Sequence, residues 1–135
     1  MITLPYIILI LVAHWVGDFL LQFRDIAIGK SKEVKFLLCH ILFYGTVLFL
    51  SGGLFAATTL PNPLCDGPLL AWIGINILLH FIVDYFTSRA NSCVFEKGIK
   101  KDNDGYSHEF WACIGADQII HMFCLFSTWI WLISK

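Results

Sequence analysis

Residues 4–23 read LPYIILILVAHWVGDFLLQF: twenty residues without a lysine or arginine, apolar almost throughout, with His14 and Asp18 set inside the run. At about 1.5 Å per helical residue, such a run crosses a hydrocarbon core of about 30 Å. It is a poor cleavable leader, because no basic segment precedes it and an acid and an imidazole interrupt it. The reading is a retained helix. Three further runs of similar length follow at 34–57, 69–86 and 110–133. Composition agrees: of 135 residues 58% are hydrophobic and 14% charged, against roughly 25% charged in soluble domains. The expectation is an all-α integral membrane protein, a four-helix bundle forming one domain over 1–135.

Charge sets the predicted orientation. Eight of the nine Lys and Arg residues (Arg24, Lys30, Lys32, Lys35, Arg89, Lys97, Lys100 and Lys101) flank the first and third connections, leaving Lys135 alone at the other side. The positive-inside bias puts those connections in the cytoplasm and both termini on the extracytoplasmic side of an inner membrane. Tyr6, Trp72, Trp129 and Trp131 then fall at the outer interface, as an aromatic belt would. A formal net charge of −1 excludes a nucleic-acid partner on electrostatic grounds. The partner expected is the lipid bilayer, and a homo-oligomer is compatible with it.

The connections carry turn chemistry. Residues 58–68 (TTLPNPLCDGP) hold three prolines, and Asp102-Asn103-Asp104-Gly105 is a turn signature. Lys100, where a calcium loop needs an acid, argues against that motif. The five cysteines include no Cys-x-x-Cys pair, so neither a zinc knuckle nor a redox motif is expected. Buried cysteine acting as a small hydrophobe is the simplest account.

The chemistry lies in what interrupts the apolar runs. His14 and Asp18, His80 and Asp84, and Asp117 and His121 are each spaced i, i+4, which stacks both side chains on one helix face; His40 stands in the second run. Counted from the cytoplasmic ends, all seven occupy one slab of the inner leaflet. An Asp near a helix centre costs about 2.5–3.5 kcal/mol on insertion scales, so three demand compensation. A structural zinc ion contributes about 10–16 kcal/mol in small peptides, the right size. Imidazole and carboxylate donors suit Zn over Mn or Fe, and disfavour Mg and Ca. Two divalent ions with one hydroxide balance three carboxylates, whereas one ion leaves a negative charge.

Other accounts of the same residues stay open. An isolated His-x3-Asp is commonly a hydrogen-bonded packing element. A cation or proton path uses the same residue types. Neighbours on these faces, Gln22, Tyr44, Asn76, Glu109 and Cys113, are candidates to orient ligands, with Asn76 and Cys113 better read as polar packing. Gly17, Gly74 and Gly115 lie beside the stripes and would let helices approach closely.

HWVGDFLLQ at 14–22, LLCH at 37–40, HFIVD at 80–84 and DQIIH at 117–121 resemble the domain of unknown function 3307, a family of small bacterial and phage membrane proteins. The resemblance covers nearly the whole chain. It implies that His14, Asp18, Gln22, His40, His80, Asp84, Asp117, Gln118 and His121 are family motif positions. More distantly the chain is similar to membrane-bound metal-dependent hydrolases. The expected function is an intramembrane metal-binding protein, a hydrolase acting on a phosphoester or other head-group bond in the cytoplasmic half of the bilayer. Its ligands would be His14, Asp18, His40, His80, Asp84, Asp117 and His121. Gln22 would orient substrate, and Glu109 would accept a proton. Lys30, Lys32 and Lys35 would hold an anionic lipid or phosphorylated substrate, or simply fix topology. The alternatives are a cation or proton transporter and a regulatory module with a structural metal.

Overall fold

In the computed structural model, which describes residues 3–59, 67–99 and 106–133, every regular element is helical and no strand occurs among the described residues. The elements run α1 (Leu4–Trp15), a π-helical turn (Val16–Leu20), α2 (Arg24–Gly29), α3 (Val34–Thr59), α4 (Gly67–Ile99) and α5 (His108–Leu132). Pro5 sits in the first turn of α1, where its missing N–H costs nothing. Ser107 caps α5 by accepting a hydrogen bond from the Phe110 N–H at 3.3 Å.

Three helices, α3, α4 and α5, are long and apolar enough to cross a membrane; the first apolar segment, Leu4–Leu20, is shorter. Helix geometry stops at Leu20 rather than Phe23, because the π turn widens the coil and Leu21 N–H closes it on the Val16 carbonyl at 3.0 Å. The widened turn buries both Gly17 and Asp18. Two expected connections contain helix. Residues 24–29 form the short α2. Helix α4 continues past Phe86 to Ile99, reaching 33 residues, or about 50 Å, well over the thickness of a hydrocarbon core. Its sequence over 87–99 holds neither proline nor an interior glycine before Gly98, so nothing stops it. The 60–66 part of the proline-rich connection and the Asp102–Gly105 turn lie outside the described residues.

Packing follows the chain: α1 and the π turn lie on α3, α3 on α4, and α4 along α5. The surface is inverted relative to a soluble protein. Leu42, Ile119 and Phe123 are at least 70% exposed, whereas Asp18, Asp84, His40 and His80 are buried. That distribution suits lipid outside and polar groups inside.

The apolar core occupies the half of the bundle away from α2, around Ile10, Leu48, Trp72, Leu125 and Trp129. Trp72 and Trp129 meet edge to face at 5.1 Å, and the Trp72 indole N–H donates to the Leu125 carbonyl at 3.1 Å. Both are therefore core residues and not part of an interfacial belt; Trp131 is exposed. The cysteine expectation also changes. Cys39 and Cys93 are exposed and Cys113 and Cys124 half-buried, all as free thiols, so none is a core residue; Cys65 lies outside the described residues.

Close helix approach falls to other glycines than two of those expected. Nothing approaches a Cβ built at Gly74 or Gly115, while one at Gly17 would stand 3.0 Å from the Tyr44 ring and 3.3 Å from the Tyr44 backbone. Trp72→Ala should remove the edge-to-face pair and leave a void that the bundle cannot close, costing about 3 kcal/mol. Thermal unfolding in detergent checks this, and metal content should be unaffected.

Candidate metal centre

The polar residues of the four apolar segments converge beneath the aromatic core. His14, Asp18, His40, His80, Asp84, Asp117 and His121 are all buried. Helical spacing accounts for each pair: His14 to Asp18, His80 to Asp84 and His121 to Asp117 lie 3.7, 3.7 and 3.3 Å apart.

Two groups of ligand atoms result. Asp18, His40, His80 and Asp84 form one, and Asp18, Asp117 and His121 the other, each with its donor atoms within 4.8 Å of one another. Asp18 belongs to both. In the first group His40 Nε2 stands 3.1 Å from His80 Nε2, 3.2 Å from Asp18 Oδ1 and 3.1 Å from Asp84 Oδ2. His80 Nε2 lies 3.6 Å from Asp18 Oδ1 and 3.7 Å from Asp84 Oδ2. A tetrahedron with metal–ligand bonds of about 2.05 Å has edges of about 3.3 Å, so these separations suit four donors around one ion. Oδ1 of Asp18, Asp84 and Asp117 and Nε2 of His121 are buried without an aligned hydrogen bond among the described residues, although Asp18 Oδ1 stands 3.2 Å from His40 Nε2, and His121 Nε2 stands 3.4 and 3.3 Å from Oδ1 of Asp84 and Asp117. Buried orphaned donors are what a cation would satisfy. The residues present fit a divalent metal.

Supporting contacts fix the rings. Tyr44 stacks on His80 with centroids 3.7 Å apart and planes 8° from parallel. Tyr44 reaches that position because Gly17 presents no side chain to it. Gln118 donates to Asp18 Oδ2 at 2.7 Å and Asp117 Oδ2 at 3.1 Å, and its Oε1 lies 3.0 Å from His14 Nε2. His14 thus stands beside the groups, bonded to Gln118, and is a member of neither.

One side of the cluster opens. A cavity of about 830 Å³ has Asp18, Asp84 and Asp117 in its wall and reaches past Gln22, Ser88 and Asn91 to Arg24 and Lys32. Lys30 enters it from the residue following α2 and donates to Asp84 Oδ2 at 2.8 Å and to Gln22 Oε1 at 3.4 Å. Lys35 instead pairs with Glu33 on the surface. Glu109 is exposed in the first turn of α5 and does not line this cavity. Asn76 sits in the apolar half, donating to Thr128 Oγ1 at 2.8 Å.

Residues 6–135 match the model of a family described as a protein of unknown function, DUF3307. The chain belongs to the DUF3307 family. No curated protein and no solved structure matches it. Every convergent residue of this DUF3307 chain lies inside the matched range.

Three contributions escaped the sequence reading. Lys30 was expected at a surface patch, and only the folding of α2 back toward the bundle makes it the partner of Asp84. Gln118 stood within DQIIH, but its bridging of two aspartates required the tertiary structure. Ser88 and Asn91 continue the His80–Asp84 stripe at i+4 and i+7, a signal hidden by the expectation that the helix ends at Phe86.

Asp18→Asn should lower metal occupancy in both groups, because Asp18 alone is shared. His40→Ala should affect only the first and Asp117→Asn only the second. Elemental analysis of the purified variants reads this directly. Gly17→Val, which alters no ligand, should weaken metal binding about tenfold by displacing Tyr44 from His80; titration with zinc under a competing chelator measures it.

Proposed function

We propose that this protein is a metal-dependent hydrolase of the inner membrane that cleaves a phosphoester or related head-group bond at the cytoplasmic side. In this reading Leu4–Leu20 joins α3, α4 and α5 as a fourth, shorter span, with both termini outside and α2 at the cytoplasmic surface. The observation that carries the proposal is the position of the convergent donors. Carboxylates from α4, α5 and the π turn end in the wall of a cavity of about 830 Å³ whose mouth carries Arg24, Lys30 and Lys32.

Asp18, His40, His80 and Asp84 would hold one divalent ion, and Asp18, Asp117 and His121 a second, zinc before manganese or iron. A bound divalent ion supplies Lewis acidity and lowers the pKa of water toward neutrality. The chain's own residues do the rest. Gln118 keeps Asp18 and Asp117 oriented, and Tyr44 fixes the plane of His80. Gln22, on the cavity wall, would orient the head group, and the basic mouth would attract its anion. Glu109, outside the lining, has no direct role in this reading.

Transport through the bundle is disfavoured by the apolar half. Ile10, Leu48, Trp72, Leu125 and Trp129 close the path on the other side of the cluster. A regulatory module with a purely structural metal would need no cavity at its donors.

Purified protein loaded with zinc should hydrolyse an aryl or lipid phosphate, with Asp84→Asn lowering turnover by about 100-fold or more. Equal rates in wild type and variant would dismiss the enzyme reading. Proton or zinc flux into sealed liposomes would instead favour transport.

A further inference from the structure

We propose that the open side of the carboxylate–imidazole cluster is a binding site for an amphiphilic phosphate monoester, its phosphate held by Lys30 and Ser88 and its chain by the apolar wall formed by Phe95, Tyr106 and Phe110. The charge balance below rests on the metal reading; the cavity walls are independent of it.

Ser88 is the first observation. It lies one turn after Asp84, is 7% exposed and lines the cavity, and its Oγ has no hydrogen-bond partner among the described residues. Its neighbour Thr87 turns its hydroxyl back to the Val83 carbonyl at 3.0 Å, the usual local solution for a helical hydroxyl. Ser88 does not take it. Its Oγ is a buried polar atom beside the cavity wall, and a small rotation about χ1 would bring it to a ligand there. A turn further on, Asn91 lines the same cavity and adds a buried Oδ1 with no partner among the described residues, an acceptor for a hydroxyl of the same head group.

Lys30 is the second. Its ammonium contacts Asp84 Oδ2, the same oxygen that stands 3.1 Å from His40 Nε2 in the first donor group. A divalent cation there neutralises that carboxylate and leaves the ammonium free to bind an anion. With both groups filled, three carboxylates, one ammonium and two divalent ions leave two positive charges. A phosphate monoester dianion that takes the place of a bound hydroxide cancels them.

The third observation separates a lipid from free phosphate. Phe95, Tyr106 and Phe110 form a triangle of rings with centroids 5.2, 5.6 and 5.4 Å apart, and all three line the cavity. Opposite them, Phe19 and Ile28 line the cavity yet are about half exposed, next to exposed Leu20 and Phe23. The apolar side therefore opens onto a surface suited to acyl chains. Inorganic phosphate would use none of these walls.

The test is calorimetric titration of the full chain, zinc-loaded and held in amphipol, with octyl phosphate, inorganic phosphate and octyltrimethylammonium. Octyl phosphate should bind at least about tenfold more tightly than either control, since one charge-assisted hydrogen bond amounts to about that factor. Lys30→Gln and Ser88→Ala should each weaken octyl phosphate about tenfold, and Lys30→Arg should retain binding. Phe110→Ala should weaken octyl phosphate while leaving inorganic phosphate unchanged. Equal binding of octyltrimethylammonium, or no effect of Lys30→Gln and Ser88→Ala, overturns the phosphate subsite. Equal binding of inorganic phosphate overturns the amphiphile. If Lys30→Gln fails to fold, Ser88→Ala and Phe110→Ala decide alone. Metal content is read on the same samples: phosphate binding that needs Lys30 in protein lacking metal refutes the metal reading and keeps the subsite, while metal-loaded protein that ignores octyl phosphate does the reverse.

Discussion

Three aspartates buried among apolar helices must be neutralised, and the rest of the architecture answers that demand. Asp18, Asp84 and Asp117 are 3, 1 and 7% exposed. Each costs several kcal/mol if left charged and unpaired. Lys30 compensates one of them. Protonated histidines are the other internal source of positive charge, but the geometry limits them. His40 and His80 point Nε2 at Nε2 across 3.1 Å, where two N–H donors would collide and two imidazoliums would repel. At least one of these nitrogens must present a lone pair. With the second nitrogen also unprotonated, two lone pairs and two carboxylate oxygens surround one point, a ligand set that a cation satisfies.

The surrounding structure supports the donors from positions far from them in sequence. Gly17 leaves room for the Tyr44 ring, Tyr44 lies flat on His80, and His80 is thereby held facing His40. The π turn that follows α1 buries Asp18 together with Gly17 and lets one aspartate serve both donor groups. Single π turns of this kind are common at functional sites, because the extra residue redirects a side chain without breaking the helix. Gln118 then ties the π turn to α5 through two aspartates.

Much of this was legible in the sequence. The apolar lengths marked helices long enough to span lipid, and the i, i+4 spacing of histidine with aspartate put both groups of each pair on one face. What periodicity could not show was where helices stop and which segments fold back. The 33-residue length of α4 was concealed because polar Thr87, Ser88, Arg89 and Asn91 look like a loop to a hydropathy scale. They are instead the continuation of one unbroken helix to Ile99. Trp72 and Trp129 looked interfacial by position, yet their rings pair inside the bundle. Aromatic residues serve both purposes, and only packing distinguishes them. Lys30 stood out only as a basic loop residue, and its pairing with Asp84 carried no signal, since that contact spans 54 residues of sequence.

The two halves of the bundle differ in a way that bears on mechanism. One half is filled by Trp72, Trp129, Leu48 and Leu125, with the Asn76 amide N–H donating to Thr128 and to the Trp72 carbonyl. The other keeps a cavity with Ser88, Asn91 and three aspartates in its wall. A structural metal needs its donors saturated and its surroundings closed, and a conduction path needs both halves polar. Carboxylates gathered on one side, at a cavity flanked by apolar residues, match a pocket that receives something from that side. The same asymmetry gives the length of α4 a use: its last turns bring Phe95 into the apolar wall of that cavity.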